Sequence, residues 1–298
     1  MANAIFTTRV SPSYDDLPEE RYHFPSTYLR QVEAAVGDWI VYYEPRRHDA
    51  WESGREGRQC YFATARVTHV VADAVRPDHY YAYVADFTEF INPVPFRTGA
   101  RFYESRLRKQ DGSTNRGWFG RAVRPLEFAE YVDIVQNGLA EVIGELPRLP
   151  APDWAVAEAD ATYGRPVLSQ VVSRKARNAA FSHVVRRAYD STCALTGLKL
   201  ANGAGHYEIE AVHIQPVASD GPDSLHNALA LSRTVHWMFD RGVLSLEDDG
   251  RILMAEKLVP ERVVRVLNAS GYMIQPGEPG WRPHPRFLEY HRSRIFKG

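Results

Sequence analysis

Between His206 and Arg241 the sequence dictates a strand, a loop and a helix in close succession, and this leaves little freedom for the fold around them. The run His206-Tyr-Glu-Ile-Glu-Ala-Val-His-Ile214 alternates apolar and polar residues and reads as a strand with His213 near its end. Gln215 to Leu225 is rich in Pro, Gly, Asp and Ser, which reads as a loop. Thr234-Val-His-Trp-Met-Phe-Asp-Arg241 reads as a helix on which His236 and Asp240, four apart, project from one face. Asn227 stands between the two histidines, 14 residues after the first (227 − 213) and 9 before the second (236 − 227).

These residue types suit one chemistry. An imidazole titrates near neutral pH and can take a proton from water. An imidazole beside a carboxylate can hold a divalent cation, which neutralises charge growing on a phosphoryl group. Together they meet the demands of phosphodiester hydrolysis.

The string Glu210-Ala-Val-His-Ile214, Asn227 and His236 resembles the HNH nuclease motif, a ββα-metal finger. Its surroundings extend the likeness. Cys193-Ala-Leu-Thr-Gly197 precedes it, after a helix-like stretch from Phe181 to Tyr189, and Phe239-Asp-Arg-Gly-Val-Leu-Ser-Leu246 follows it. Pro283-His-Pro-Arg-Phe-Leu-Glu-Tyr-His-Arg292 is similar to the tail of bacterial HNH restriction-type proteins, so the resemblance covers roughly Arg174 to Lys297. It implies that His213 is the general base, Asn227 orients it and His236 is a metal ligand, with Asp240 at a further ligand position. Many members carry Asp or His just before the base, where this chain has Val212. Either Glu210 takes that place or Asp240 and water complete the shell. Without thiolates the ion expected is Mg²⁺, with Mn²⁺ or Ni²⁺ as alternatives. The two cysteines, Cys60 and Cys193, cannot build the four-cysteine zinc knuckle of some HNH proteins and are expected reduced and buried.

The net charge of −1 excludes a uniformly basic coat. From Arg165 to His213, however, seven basic residues stand against three acidic, and from Glu261 to the end the count is again seven to three. Both excesses flank the motif, as phosphate contacts require, and Arg174, Lys175 and Arg177 are candidate DNA contacts. There is no apolar run of about 18 residues and no signal-peptide pattern in Met1–Arg9, so no membrane span and a cytoplasmic location are expected.

The N-terminal half reads differently. The first 20 residues look like a loose arm, and Tyr22 to Val36 contains a short helix. Trp39-Ile-Val-Tyr-Tyr43, Tyr61 to Val71 and Tyr80 to Phe87 read as strands, and Asn92-Pro-Val-Pro95 as an extended link. Lys109 to Gly117 is a polar loop, and Leu126 to Leu139 is mostly helical. Leu146-Pro-Arg-Leu-Pro-Ala-Pro152 opens a linker. The expected organisation is therefore α+β: a small twisted barrel over 1–145, a linker over 146–165 and a nuclease domain over 166–298.

Val36-Gly-Asp-Trp-Ile-Val-Tyr-Tyr43, Ala63-Thr-Ala-Arg-Val-Thr-His-Val70 and Tyr83 to Phe96 resemble the PUA superfamily, which includes EVE, ASCH and YTH-like barrels. Fused to an HNH domain, such a barrel resembles the reader of modification-dependent restriction endonucleases. The resemblance implies double-stranded DNA as partner, with a flipped 5-methylcytosine or 5-hydroxymethylcytosine held in an aromatic pocket. Trp39, Tyr43, Trp51 and Trp118 are the candidate pocket residues, although aromatics in strands are commonly core and Tyr42 falls on the opposite strand face from Trp39 and Tyr43. Asn115 and Arg116 lie in a loop able to reach DNA. Two alternatives stay open: a barrel that binds unmodified DNA, RNA or a partner, and a non-catalytic nucleic-acid-binding protein. One finger cuts one strand per encounter, so a duplex takes two fingers or one acting twice; restriction-type function favours the former, and a homodimer is expected, with Phe181 to Tyr189 and Leu258 to Leu267 as candidate contact surfaces.

Overall fold

In the computed structural model of the chain, residues 2–8, 16–45, 59–141, 174–203 and 206–298 are described. The chain divides into two compact units, Met1–Ala180 and Phe181–Gly298. The expected linker over 146–165 and the candidate pocket residue Trp51 lie outside the described residues. The class is mixed α+β, as expected.

The first unit is built on a six-stranded sheet. Its strands are β1 (Ala4–Thr7), β2 (Arg21–Pro25), β3 (Trp39–Glu44), β4 (Cys60–Ala72) and β5 (His79–Pro95). A small separate pair follows, β6 (Arg97–Thr98) with β7 (Arg101–Phe102), and then β8 (Val123–Pro125), the sixth strand of the sheet. The order is β2-β5-β4-β3-β1-β8, antiparallel except for β1 beside β3. The sheet curls. Tyr22 on edge strand β2 stacks on Phe6 of β1 at 4.7 Å and donates to the Thr7 carbonyl at 3.1 Å, across three intervening strands. Native twist and the register shifts within β4 and β5 allow that closure. The concave side holds Phe6, Tyr22, Phe24, Ile40, Tyr42 and Val67.

The helix Phe128–Gly138 packs on β4 and β5 through Tyr131, Ile134 and Val135, an i, i+3, i+4 stripe. Tyr131 Oη lies 2.9 Å from Thr64 Oγ1, and a side chain at Gly138 would overlap the Phe90 ring. Two expectations needed correction here, the loose arm and the Asn92–Pro95 link. The supposed loose arm contains β1, which lies inside the sheet and is buried along most of its length, so it shows no alternation to read. The short helix expected within Tyr22 to Val36 is Leu29–Ala34, and the strand Arg21–Pro25 precedes it. Asn92-Pro-Val-Pro95 is not a link but the end of β5, where a register shift accommodates residues that cannot donate to the ladder.

The second unit contains β9 (Glu210–His213) paired antiparallel with β10 (Ala228–Leu231), then the helix Arg233–Asp240, then β11 (Leu244–Leu246) with β12 (Ile252–Met254). The helix Arg174–Ala188 runs into this unit and buries Phe181, Val185 and, just beyond its end, Tyr189. Val235, Met238 and Phe239 on one side, and Phe287 and Leu288 from the helix Pro285–Arg294 on another, complete the core. Of the two stretches expected as contact surfaces, Phe181 to Tyr189 is thus core, whereas Leu258, Val264 and Val266 are about half exposed. Cys60 and Cys193 are free and buried, as expected. No described helix is long and apolar enough to cross a membrane.

Candidate active site

His213 closes β9 opposite Ala228 and is partly exposed. Its imidazole is held on two sides. Phe181 stacks on it at 4.2 Å with an interplanar angle of 11°, and Nε2 lies 2.8 Å from Asp223 Oδ1. When Nε2 donates that proton to the carboxylate, the lone pair stands on Nδ1, which makes no hydrogen bond among the described residues.

Asp223 is positioned by a loop that Asn227 closes. The Asn227 side chain is fully buried. Its Nδ2 donates to the carbonyls of Gln215 and Pro222, both at 3.0 Å, and its Oδ1 accepts from the Gln215 amide at 2.8 Å. The Asn227 carbonyl in turn accepts from the Ile214 amide at 2.9 Å. Both ends of the turn are therefore tied to one side chain. Gly221 permits the close approach, because a side chain there would overlap the Gln215 carbonyl. Asn227 thus acts on His213 through the loop and Asp223, not by direct contact with the ring.

His236 lies on the helix Arg233–Asp240 with a carboxylate at each ring nitrogen. Nδ1 is 2.7 Å from Glu210 Oε2, and Nε2 is 3.1 Å from Asp240 Oδ2. The hydrogen bond to Asp240, and then that to Glu210, raise its pKa to about 9 against partial desolvation. Glu210 is held below the usual carboxylate range, first by its hydrogen bond to His236. Its other oxygen meets Arg233 Nε at 3.0 Å. Val212, the residue before His213, is buried in the core, so the position is a packing residue here. Glu210, on the same strand, is the acidic group that reaches His236. His213 is three residues further on, about 10 Å along β9.

Among the described residues no group of three or more His, Cys, Asp and Glu side chains is arranged to hold a metal ion. The chemistry of the set still fits one. With Nδ1–H donated to Glu210, Nε2 and the Asp240 carboxylate lie side by side, and a ligating imidazole normally has such a carboxylate behind it. Nitrogen and oxygen donors without thiolate suit Mg²⁺, Mn²⁺ or Ni²⁺.

The remaining expected residues are dispersed. Arg174 is exposed at the start of its helix, nothing is described for the Lys175 side chain, and Arg177 pairs with Asp86 at 3.2 Å. Asn115 caps the helix Arg116–Phe119, accepting from the Trp118 amide at 3.2 Å, and Arg116 is exposed beside it. Both line a cleft of about 550 Å³ with Lys109, Ser113, Thr114 and Gly117. Trp118 is half-buried between the Arg106 and Arg121 guanidiniums at 5.1 and 4.5 Å. Trp39 and Tyr43 stand at opposite ends of β3. Tyr43 is fully buried against Tyr61 and Phe119, over the Arg124 guanidinium that Glu104 holds in a doubly hydrogen-bonded pair, so it offers no face to a base.

Asp223, Phe181 and Gln215 were not singled out as site residues in the sequence. Asp223 had one available signal: an acidic residue just after Gly221-Pro222, in the loop between His213 and Asn227.

Residues 193–247 match the model of the HNH endonuclease family, and this part of the chain is an HNH endonuclease domain. No curated protein matches the chain. Among solved structures, the chain is similar to the modification-dependent TagI restriction endonuclease at 13% identity and a TM-score of 0.33, covering 98% of this chain and 81% of that one. It is similar to the N-terminal domain of Staphylothermus marinus McrB at 11% identity and a TM-score of 0.30, covering 46% and 94%. A third, the type IV phosphorothioation-dependent restriction endonuclease ScoMcrA, gives 14% identity and a TM-score of 0.21, covering 97% and 53%.

Proposed function

We propose that the chain is a metal-dependent DNA endonuclease of the restriction type, whose first unit reads a modified base. The observation that carries the nuclease reading is the oriented His213: stacked on Phe181, hydrogen-bonded to Asp223, and three residues along β9 from the carboxylate that meets His236. His213 Nδ1 takes a proton from the attacking water. The Asp223 carboxylate then stabilises the imidazolium that forms, and the Phe181 ring keeps its plane fixed. A divalent cation held by His236 and Asp240, with Glu210 behind the ring, would neutralise charge on the phosphoryl group. Arg233, beside Glu210, adds a cation at the same edge.

The reader assignment rests on the PUA resemblance and on the polar, basic cleft around Lys109 and Arg116. A PUA-like barrel with a flipped 5-methylcytosine or 5-hydroxymethylcytosine in it is the form we favour. Trp39 and Trp118 are the described aromatics left to line such a pocket, since Tyr43 is in the core. The test of the metal mechanism is a chelator. With Mg²⁺ or Mn²⁺ the chain should nick or cut duplex DNA, and EDTA should stop it. Cleavage undiminished in EDTA would remove the metal from the account.

A further inference from the structure

Trp237 follows His236 on the site helix and is 59% exposed, the one exposed tryptophan among the described residues. The helix explains the exposure. Val235, Met238 and Phe239 are its buried side. At roughly 100° per residue, the solvent side carries His236, Asp240, Arg233, Trp237 and Arg241 in that order around the axis. The imidazole and carboxylate of the candidate metal site therefore share one surface with the indole and with two arginines. Arg233 engages Glu210 through Nε only, and its side chain is 79% exposed, so its terminal nitrogens face solvent. Arg241 is exposed at the end of the helix and makes no ion pair among the described residues.

We propose that Trp237 is a DNA-contact residue that lays its indole against a base step or sugar beside the scissile phosphate, with Arg233 and Arg241 on the flanking phosphates. This rests on the nuclease reading of His213 and His236 and extends it to how the duplex is seated. Three observations select DNA as the occupant. The patch is continuous with the candidate active site. Its flanking charges are cationic, matching a phosphate backbone. A second copy of the chain is disfavoured there, since a two-fold contact through this patch would set arginines against their own copies. Aromatic rings stack on bases irrespective of sequence, and apolar wedges between base steps open them, so the contact would seat the cut site without specifying it.

The test uses the full-length chain and a duplex that the wild type cuts. Trp237→Ala should raise KM roughly tenfold with kcat within about threefold, the signature of lost uniform binding. Trp237→Phe should keep most of the affinity, and neither variant should shift the melting temperature, because the ring is exposed. In a His213→Ala background, 2-aminopurine beside the cut site should brighten on binding, and Trp237→Ala should abolish that change. Unchanged KM and unchanged 2-aminopurine signal in Trp237→Ala overturn the inference while leaving the nuclease reading in place. A change in oligomeric mass with no change in KM assigns the patch to self-association and also overturns it. A wild type that neither binds nor cuts any duplex overturns the nuclease reading, and this inference with it.

Discussion

At the scale of single residues, the account depends on how one imidazole is held. His213 has a ring above it and a carboxylate behind it, and the two make different contributions: Phe181 fixes the plane, Asp223 fixes the tautomer. Removal of the proposed base, His213→Ala, should cost about two to four orders of magnitude in rate. Asp223→Ala leaves the base in place but unsupported and should cost about 10- to 100-fold. Single-turnover cleavage separates the two. An Asp223→Ala variant at wild-type rate would show that the hydrogen bond is incidental. The histidines were legible because a strand end and an i, i+4 helix pair leave a mark in spacing. Asp223 left only a faint one, an acidic residue in the loop after Gly221-Pro222, since only the closed loop brings it to the ring. Residue type alone misled at Tyr43: a tyrosine in a strand reads the same whether it lines a pocket or, as here, packs on a buried Arg–Glu pair.

At the scale of elements, the turn between β9 and β10 is the part that must not move. Asn227→Ala would leave the Gln215 amide and the Gln215 and Pro222 carbonyls without their partner, at about 1–3 kcal/mol for each group that stays buried. The expected outcome is a lower melting temperature for the second unit and lost cleavage with His213 intact. An unchanged melting curve would mean that water replaces the amide and that the turn does not need it. The helix Pro285–Arg294 offers a second test. Its His291 is buried between Ser245 Oγ at 2.8 Å and the Phe239 carbonyl at 3.0 Å, and burial lowers its pKa from 6.5 to about 4. A folded-state value below the unfolded one means that the unfolded chain takes up the proton first. Stability is therefore fully present above pH 6.5 and falls as the pH drops towards 4, by up to about 3 kcal/mol. Chemical denaturation across that range measures it, and His291→Gln should flatten this contribution. β3 was legible as a run of β-branched and aromatic residues and β4 from its partial alternation, as was the helix Phe128–Gly138 from its apolar stripe. β1 and the end of β5 were not, the first because it is only four residues long and buried along most of them, and the second because prolines conceal a bulged strand.

At the scale of the whole molecule, one HNH finger of the proposed kind acts on one strand per encounter, so a double-strand break takes two fingers or one finger acting twice. Two-fold dimers are the commonest way to provide two fingers, and Leu258, Val264 and Val266, from a stretch expected as a contact surface, are exposed apolar residues that such a contact would cover. Light scattering on the full chain with DNA should give twice the chain mass, and Val264→Lys with Val266→Lys should return it to one chain while leaving nicking intact. A single-chain mass that still yields double-strand breaks at first order in enzyme would contradict this. The curl of the first unit's sheet was not legible, because it depends on Tyr22 meeting Phe6 across three strands. The central claim, a nuclease whose base is His213 and whose first unit selects its substrate, meets its most direct test in one cleavage panel. Wild type and His213→Ala are incubated with Mg²⁺ or Mn²⁺ and with matched duplexes carrying cytosine, 5-methylcytosine or 5-hydroxymethylcytosine. The account predicts that the wild type cuts a modified duplex in preference to the unmodified one and that His213→Ala cuts none. Equal cleavage of all three duplexes would contradict the reader, and cleavage by His213→Ala at near wild-type rate would contradict the site itself.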